Sequence, residues 1–166
     1  ATDIGGPFAL VPRSELAAMK ALFNESAKEV GTWALDAERV AAGRPRIGFD
    51  TDHKAIPNEL GLLNKSVHMA KGCYRGQETV AKVFNLGAPP RRLVMLHLDG
   101  SAVLFPAPGT PVENNGVQVG FLGTVARHYE LGPIALALVK RSTPTDATLT
   151  VSGITAAQEI IVSGSR

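Results

Sequence analysis

The tract Gly87-Ala88-Pro89-Pro90 breaks the chain, and the residues beyond it constrain the fold more than any other feature. Consecutive prolines supply no backbone donor and fix φ, so neither a helix nor a central strand continues through them. Beyond the break, RRLVMLHLDG alternates in part and is rich in β-formers. VENNGVQVG places Asn115-Gly116 between apolar positions, the strongest short-range hairpin signal. GFLGTVARHYELGPIALALVK supplies two further strands around a Gly132-Pro133 turn, and ATLTV and QEIIVSG supply two more. Five or six short strands at regular spacing predict an all-β barrel or sandwich. A domain boundary is therefore expected near residue 90, with mixed α/β structure over 1–89 and a β domain over 90–166.

The first part reads differently. A brief strand is expected over Phe8–Val11, after Gly5, Gly6 and Pro7. Ser14 is a candidate N-cap with Glu15 in the first turn, and Leu16, Met19, Phe23 and Ala27 come after it at helical spacing up to Gly31. Thr32 is a second N-cap candidate, for a helix carrying Leu35 and Val40 and stopped by Gly43 and Pro45. Arg39, Arg44 and Arg46 gather near its end, where cations suit the helix dipole. Residues 47–70 lack a clean period and predict a loop with short elements; they hold Asp50, Asp52, His53 and Glu59.

Composition narrows the function classes. The chain is 45% hydrophobic and 19% charged, which fits a globular protein and not a disordered tail. No apolar run approaches the roughly 20 residues that span a bilayer, so no membrane partner is expected. The net charge of +2 is spread along the chain and aromatic residues make up 5%, giving little basis for a nucleic-acid partner. A single cysteine forms no internal disulfide, in keeping with a reducing, cytoplasmic setting.

That cysteine, Cys73, lies in KGCYRGQE at 71–78. Gly72 and Gly76 permit positive φ and close backbone approach, which suits a tight loop presenting one side chain. Lys71 and Arg75 favour the thiolate if they stand near Cys73 in space. The bland alternative is a buried, inert cysteine in a structural turn. Tyr74 is placed to anchor the loop. Glu59, in P-N-E-L-G-L-L, is a second candidate: a desolvated carboxylate there accepts two parallel N–H donors from a guanidinium or an aminopyrimidinone ring. Its bland alternative is a surface glutamate at a helix start. Asp50, Asp52 and His53 lack the glycine and distal glutamate of a calcium loop, and the four histidines lack zinc-like spacing, so no metal is expected. No GxSxG, GxGxxG or P-loop is present.

The octapeptide is similar to the K-G-C-Y-x-G-Q-E signature of the folate-binding YgfZ family, relatives of the glycine-cleavage T-protein, an aminomethyltransferase that uses tetrahydrofolate. Every fixed position is met: Lys71, Gly72, Cys73, Tyr74, Gly76, Gln77 and Glu78. Arg39-Val40, Gly43, Pro45, Asp50 and Pro57-Asn58-Glu59 resemble the segment that precedes the signature. Arg91-Arg92-Leu93, Pro108-Gly109, Val119-Gly120 and Ala135-Leu136-Ala137 resemble the family's C-terminal barrel, and GPIALALVKR is close to actinobacterial members. The resemblance implies an α+β chain: the latter part of a ferredoxin-like-type folate-binding domain, then a small antiparallel β-barrel.

It also implies that these 166 residues are a piece of a longer protein, whose N-terminal half supplies much of the folate site. An exposed apolar face on residues 1–70 and weak or absent tetrahydrofolate binding by this chain alone are then expected. Glu59, Tyr74 and Gln77 become candidate folate contacts, Glu59 through the pterin ring. The T-protein lacks a cysteine matching Cys73. The branch that has one is implicated in iron–sulfur cluster assembly or repair, so the implied partners are folate, iron–sulfur client or assembly proteins, and the N-terminal half of the same protein. The rival readings are a true aminomethyltransferase and a non-catalytic binding module.

Overall fold

A computed structural model describes residues 9–101 and 104–163. A closed antiparallel barrel is formed by β1 (Arg91–Leu98), β2 (Pro111–Asn114), β3 (Val117–His128), β4 (Gly132–Lys140), β5 (Leu149–Val151) and β6 (Ile154–Ile160). The strand order around it is β1-β4-β3-β2-β5-β6, and β6 pairs back onto β1 to close the ring. The fold is thus α+β with a terminal barrel; of the two β architectures expected, the barrel is the one formed.

The partial alternation of RRLVMLHL and GPIALALVK has a physical cause: both faces of β1 and β4 are buried. Val94, Leu96 and Leu98 of β1 and Ala135, Ala137 and Val139 of β4 join residues from the other four strands in the barrel interior. Leu93, Met95, Ile134, Leu136 and Leu138 point outward, into a second core beneath a helix and a short turn. Strands buried on both faces read as continuous apolar runs and not as period-two stripes.

The covering helix is α2 (Thr32–Ala41), which sets Ala37 and Val40 on the outer face of β3 and β4. Burying Val40 completely contributes roughly 1.5–3 kcal/mol. Gly43, at φ +63°, comes after the helix as expected. Thr32 is the first helical residue and Gly31 the cap, with no side-chain cap bond. Upstream, α1 (Leu16–Asn24) is shorter than its apolar spacing predicts and stops before Ala27. Ser14 caps nothing; it lies within a 3-10 turn, Arg13–Glu15. Residues 9–12 form no strand, and Phe8 lies outside the described residues. No residue of α1 is buried, and Leu10, Leu16, Leu22, Phe23, Trp33 and Ile47 are all exposed.

Between α2 and the barrel come a 3-10 turn at Pro57–Leu60, the short helix α3 (Leu63–Ser66) and α4 (Gln77–Leu86). KGCYRGQE is the lead-in to α4: irregular through Tyr74, then a turn, with Gly76 at φ +79° as the residue before the helix. Gly87, at φ +75°, ends α4, and the prolines then feed β1. The chain reverses between β3 and β4 at 129–131, so Gly132 and Pro133 already belong to β4.

Candidate functional site

Two carboxylate–guanidinium clusters organise the surface where the helical segment meets the barrel. The deeper one is centred on Asp50, whose side chain is fully buried. Its Oδ2 accepts from Arg39 Nη1 at 2.9 Å and from the Arg46 backbone N–H at 2.7 Å. Its Oδ1 accepts from the Thr124 backbone N–H at 2.6 Å. That donor is free because β3 bulges between Leu122 and Val125, which leaves Gly123 and Thr124 out of the ladder. Arg39 also donates to Thr124 Oγ1 at 2.7 Å, to the Arg44 carbonyl at 2.7 Å and to Asp36 at 3.1 Å. Arg39 therefore does not sit at the helix end for the dipole; it is buried, and its partners join α2, the 44–50 loop and β3. Gly123 is required here, because a Cβ would strike Asp50.

The second cluster holds Glu59. Its side chain is 1% exposed, which overturns the surface-glutamate alternative. Arg91, the first residue of β1, presents Nε to Oε1 at 2.8 Å and Nη2 to Oε2 at 2.9 Å. The Ile56 backbone N–H adds a bond to Oε2 at 3.2 Å, the reach-back of a capping box. The two parallel donors expected for this carboxylate are thus supplied by a guanidinium of the same chain. The far edge of Arg91 pairs with Asp52 at 2.8 and 3.1 Å. Arg91 holds the Asp52 carboxyl below its usual range, chiefly through these hydrogen bonds, and the two carboxylates push the guanidinium pKa upward. One cation against two anions leaves the cluster net negative.

Cys73 is exposed and free, which removes the buried-turn alternative. Lys71, Arg75 and Glu78 are exposed as well, and Tyr74 and Gln77 are half-buried. Tyr74 Oη lies 3.8 Å from Met69 Sδ, a contact within the loop. Among the described residues neither Lys71 nor Arg75 has an ion-pair partner, and no hydrogen bond joins the thiol loop to the Glu59 cluster. The two candidate sites share no hydrogen bond, but α4, which begins at Gln77 of the octapeptide, packs against the 57–60 turn that carries Glu59. Asp50 and Asp52 each serve an arginine, and no group of three metal-ligating side chains occurs among the described residues. The residue that sequence reasoning misses is Arg91. Its signal is faint: a basic pair directly after a proline break, opening an otherwise apolar strand.

The geometry can be set beside known proteins. Residues 91–160 match the family described as CAF17, C-terminal beta-barrel domain. The match begins at Arg91, so in the Glu59 cluster the cation comes from the matched segment and both carboxylates come from the chain before it. The chain is 30% identical over 139 residues to a chloroplastic protein of Arabidopsis thaliana whose name describes it as a transferase; the alignment covers 80% of this chain and 31% of that protein. It is 33% identical over 107 residues to the tRNA-modifying protein YgfZ of Buchnera aphidicola, covering 61% of this chain and 33% of that one. The chain therefore spans about a third of the length of these curated relatives. Among solved structures, aminomethyltransferase T of the glycine cleavage system from Bartonella henselae shares the fold. Its TM-score is 0.69 at 19% identity, over 89% of this chain and 42% of that one. The similarity to YgfZ proteins agrees with the reading of the octapeptide.

Proposed function

We propose that this chain belongs to a folate-dependent accessory protein for iron–sulfur cluster assembly or repair, with Cys73 as its reactive thiol. The observation that carries this reading is the exposure of Cys73 on the complete octapeptide, held at the entrance to α4 by the left-handed Gly76. One thiolate cannot hold a cluster of the usual four-ligand type, so transient coordination, thiol exchange or contact with a client protein are the roles open to it. The similarity to YgfZ supports the reading; that those relatives are named tRNA-modifying proteins extends it to RNA modification by an iron–sulfur client. The partners are then such clients in the cytoplasm, together with an N-terminal half of the same protein that completes the folate site.

Folate fits these residues conditionally. Glu59 is buried with both oxygens engaged by Arg91, so a pterin ring reaches it only in exchange with that guanidinium. Tyr74 and Gln77 are the remaining candidate contacts, and half a pocket leaves the ligand's polar groups unmatched. This chain alone is expected to show no tetrahydrofolate binding by calorimetry in the micromolar range; a micromolar signal would overturn the incomplete-site reading. The role of Cys73 is tested by Cys73→Ala at the native locus, with iron–sulfur enzyme activities as the readout. Activities should fall as they do in the deletion, and wild-type activities would remove the thiol from the mechanism.

The fold shared with aminomethyltransferase T favours a second reading, one-carbon transfer on tetrahydrofolate. Turnover of an aminomethylated carrier protein by the protein at its native length distinguishes it.

A further inference from the structure

A cleft lies between the start of α2 and β3, about 620 Å³ in volume, well within the size range of small-ligand sites. Val125 and Ala126 form part of its lining, and two aromatic rings, Trp33 and Phe105, also face it. Trp33 is 89% exposed, so a large apolar ring stands in solvent. Arg127 lies over the Phe105 ring, with its guanidinium carbon 5.3 Å from the centroid. Among the described residues Arg127 has no carboxylate partner. The other charged group in the cleft, Asp36, is already engaged by Arg39.

We propose that this cleft binds a small planar aromatic carboxylate, its ring against Trp33 and Phe105 and its carboxylate on Arg127. The exposed Trp33 ring and the N–H groups of Arg127, which has no carboxylate partner among the described residues while its guanidinium lies over Phe105, dictate this chemistry. Two aromatic faces recognise a flat ring by offset stacking. An unpaired guanidinium recognises a carboxylate through two parallel hydrogen bonds. Asp36 is already neutralised by Arg39, which leaves Arg127 as the charge in the lining without a carboxylate or guanidinium partner among the described residues. A ring bearing an ammonium group meets Arg127 with like charge and is rejected. This site shares no residue with Cys73 or Glu59 and stands independently of the folate reading.

Trp33 is the single tryptophan of the chain, so its emission reports the cleft directly. Titration of the purified chain with benzoate, and separately with benzylamine, tests the proposal. Benzoate should quench and blue-shift the emission saturably, with a dissociation constant at or below about 10 mM, while benzylamine should not. Arg127→Gln, an exposed position, should weaken benzoate by about tenfold or more. Arg127→Glu should exchange the preference, taking benzylamine and refusing benzoate. The proposal is overturned if benzoate gives no saturable change, if benzylamine matches it, if Arg127→Gln keeps the wild-type affinity, or if Arg127→Glu still prefers benzoate.

Discussion

Arg39 and Arg91 do at the residue scale what no local pattern announces: each carries a charge across the junction between the helical segment and the barrel. Removing Asp50 leaves the Arg39 guanidinium buried without its anion, so Asp50→Ala should cost about 3–5 kcal/mol in urea denaturation. Gly123→Ala attacks the same cluster from the barrel side. Its Cβ displaces the Asp50 carboxylate, and a loss of about 1–3 kcal/mol is expected from overpacking. Asp52 adds a pH dependence. Its carboxyl is held below the ordinary value by Arg91, so its contribution is complete above the unfolded pKa of about 3.9 and is lost as pH falls through the folded value. Wild-type urea midpoints should therefore fall more steeply below about pH 4 than those of Asp52→Asn. Equal slopes would show that the Arg91–Asp52 pair contributes nothing measurable.

These clusters also mark how far the sequence can be read. Glu59 is legible as a buried acceptor because its neighbours are proline, leucine and glycine. Its donor is not, because Arg91 comes 32 residues later and nothing in the local pattern ties the two. Arg39 misleads for the same reason: a cation in the last turn of a helix has a local explanation, and Asp50 and Thr124 supply a stronger non-local one.

Elements divide along the same line. The hairpin between β2 and β3 is explicit, since Asn115 at φ 51° and Gly116 at φ 76° are the two residues of a primed turn. Nothing lies within 4 Å of a Cβ built on Gly116, so Gly116→Ala isolates the backbone term. A loss of about 1–2 kcal/mol, read from the thermal midpoint, is expected. The strand signals from 91 onward hold where runs are bounded by turn residues, but VQVG and GFLGTVARH, which no turn separates, join into the single 12-residue β3. Alternation fails on β4, whose outer face α2 covers, and on β1, whose outer face meets the 57–60 turn. The caps expected at Ser14 and Thr32 make no side-chain bond, and α1 has no buried residue to anchor its register.

For the whole molecule, closure of the sheet matters most. β6 pairs with β1, so the ring has no unpaired edge to offer a neighbouring chain. Truncation before Ile154 would expose the free edges of β1 and β5 together, and aggregation in place of a monomeric unfolding transition is expected by light scattering. No helix among the described residues is long and apolar enough to cross a membrane. The native thiol is open to solvent, and Cys73 should be alkylated in buffer without any denaturant.

That exposure turns the molecule into its own measuring instrument. The chain has one tryptophan and one cysteine, both facing solvent and lying on separate elements. A dye coupled to Cys73 makes Trp33 a fixed energy-transfer donor, with no residue changed. Any client or ligand that swings the octapeptide relative to α2 would be read as a distance, in the unaltered sequence and in real time.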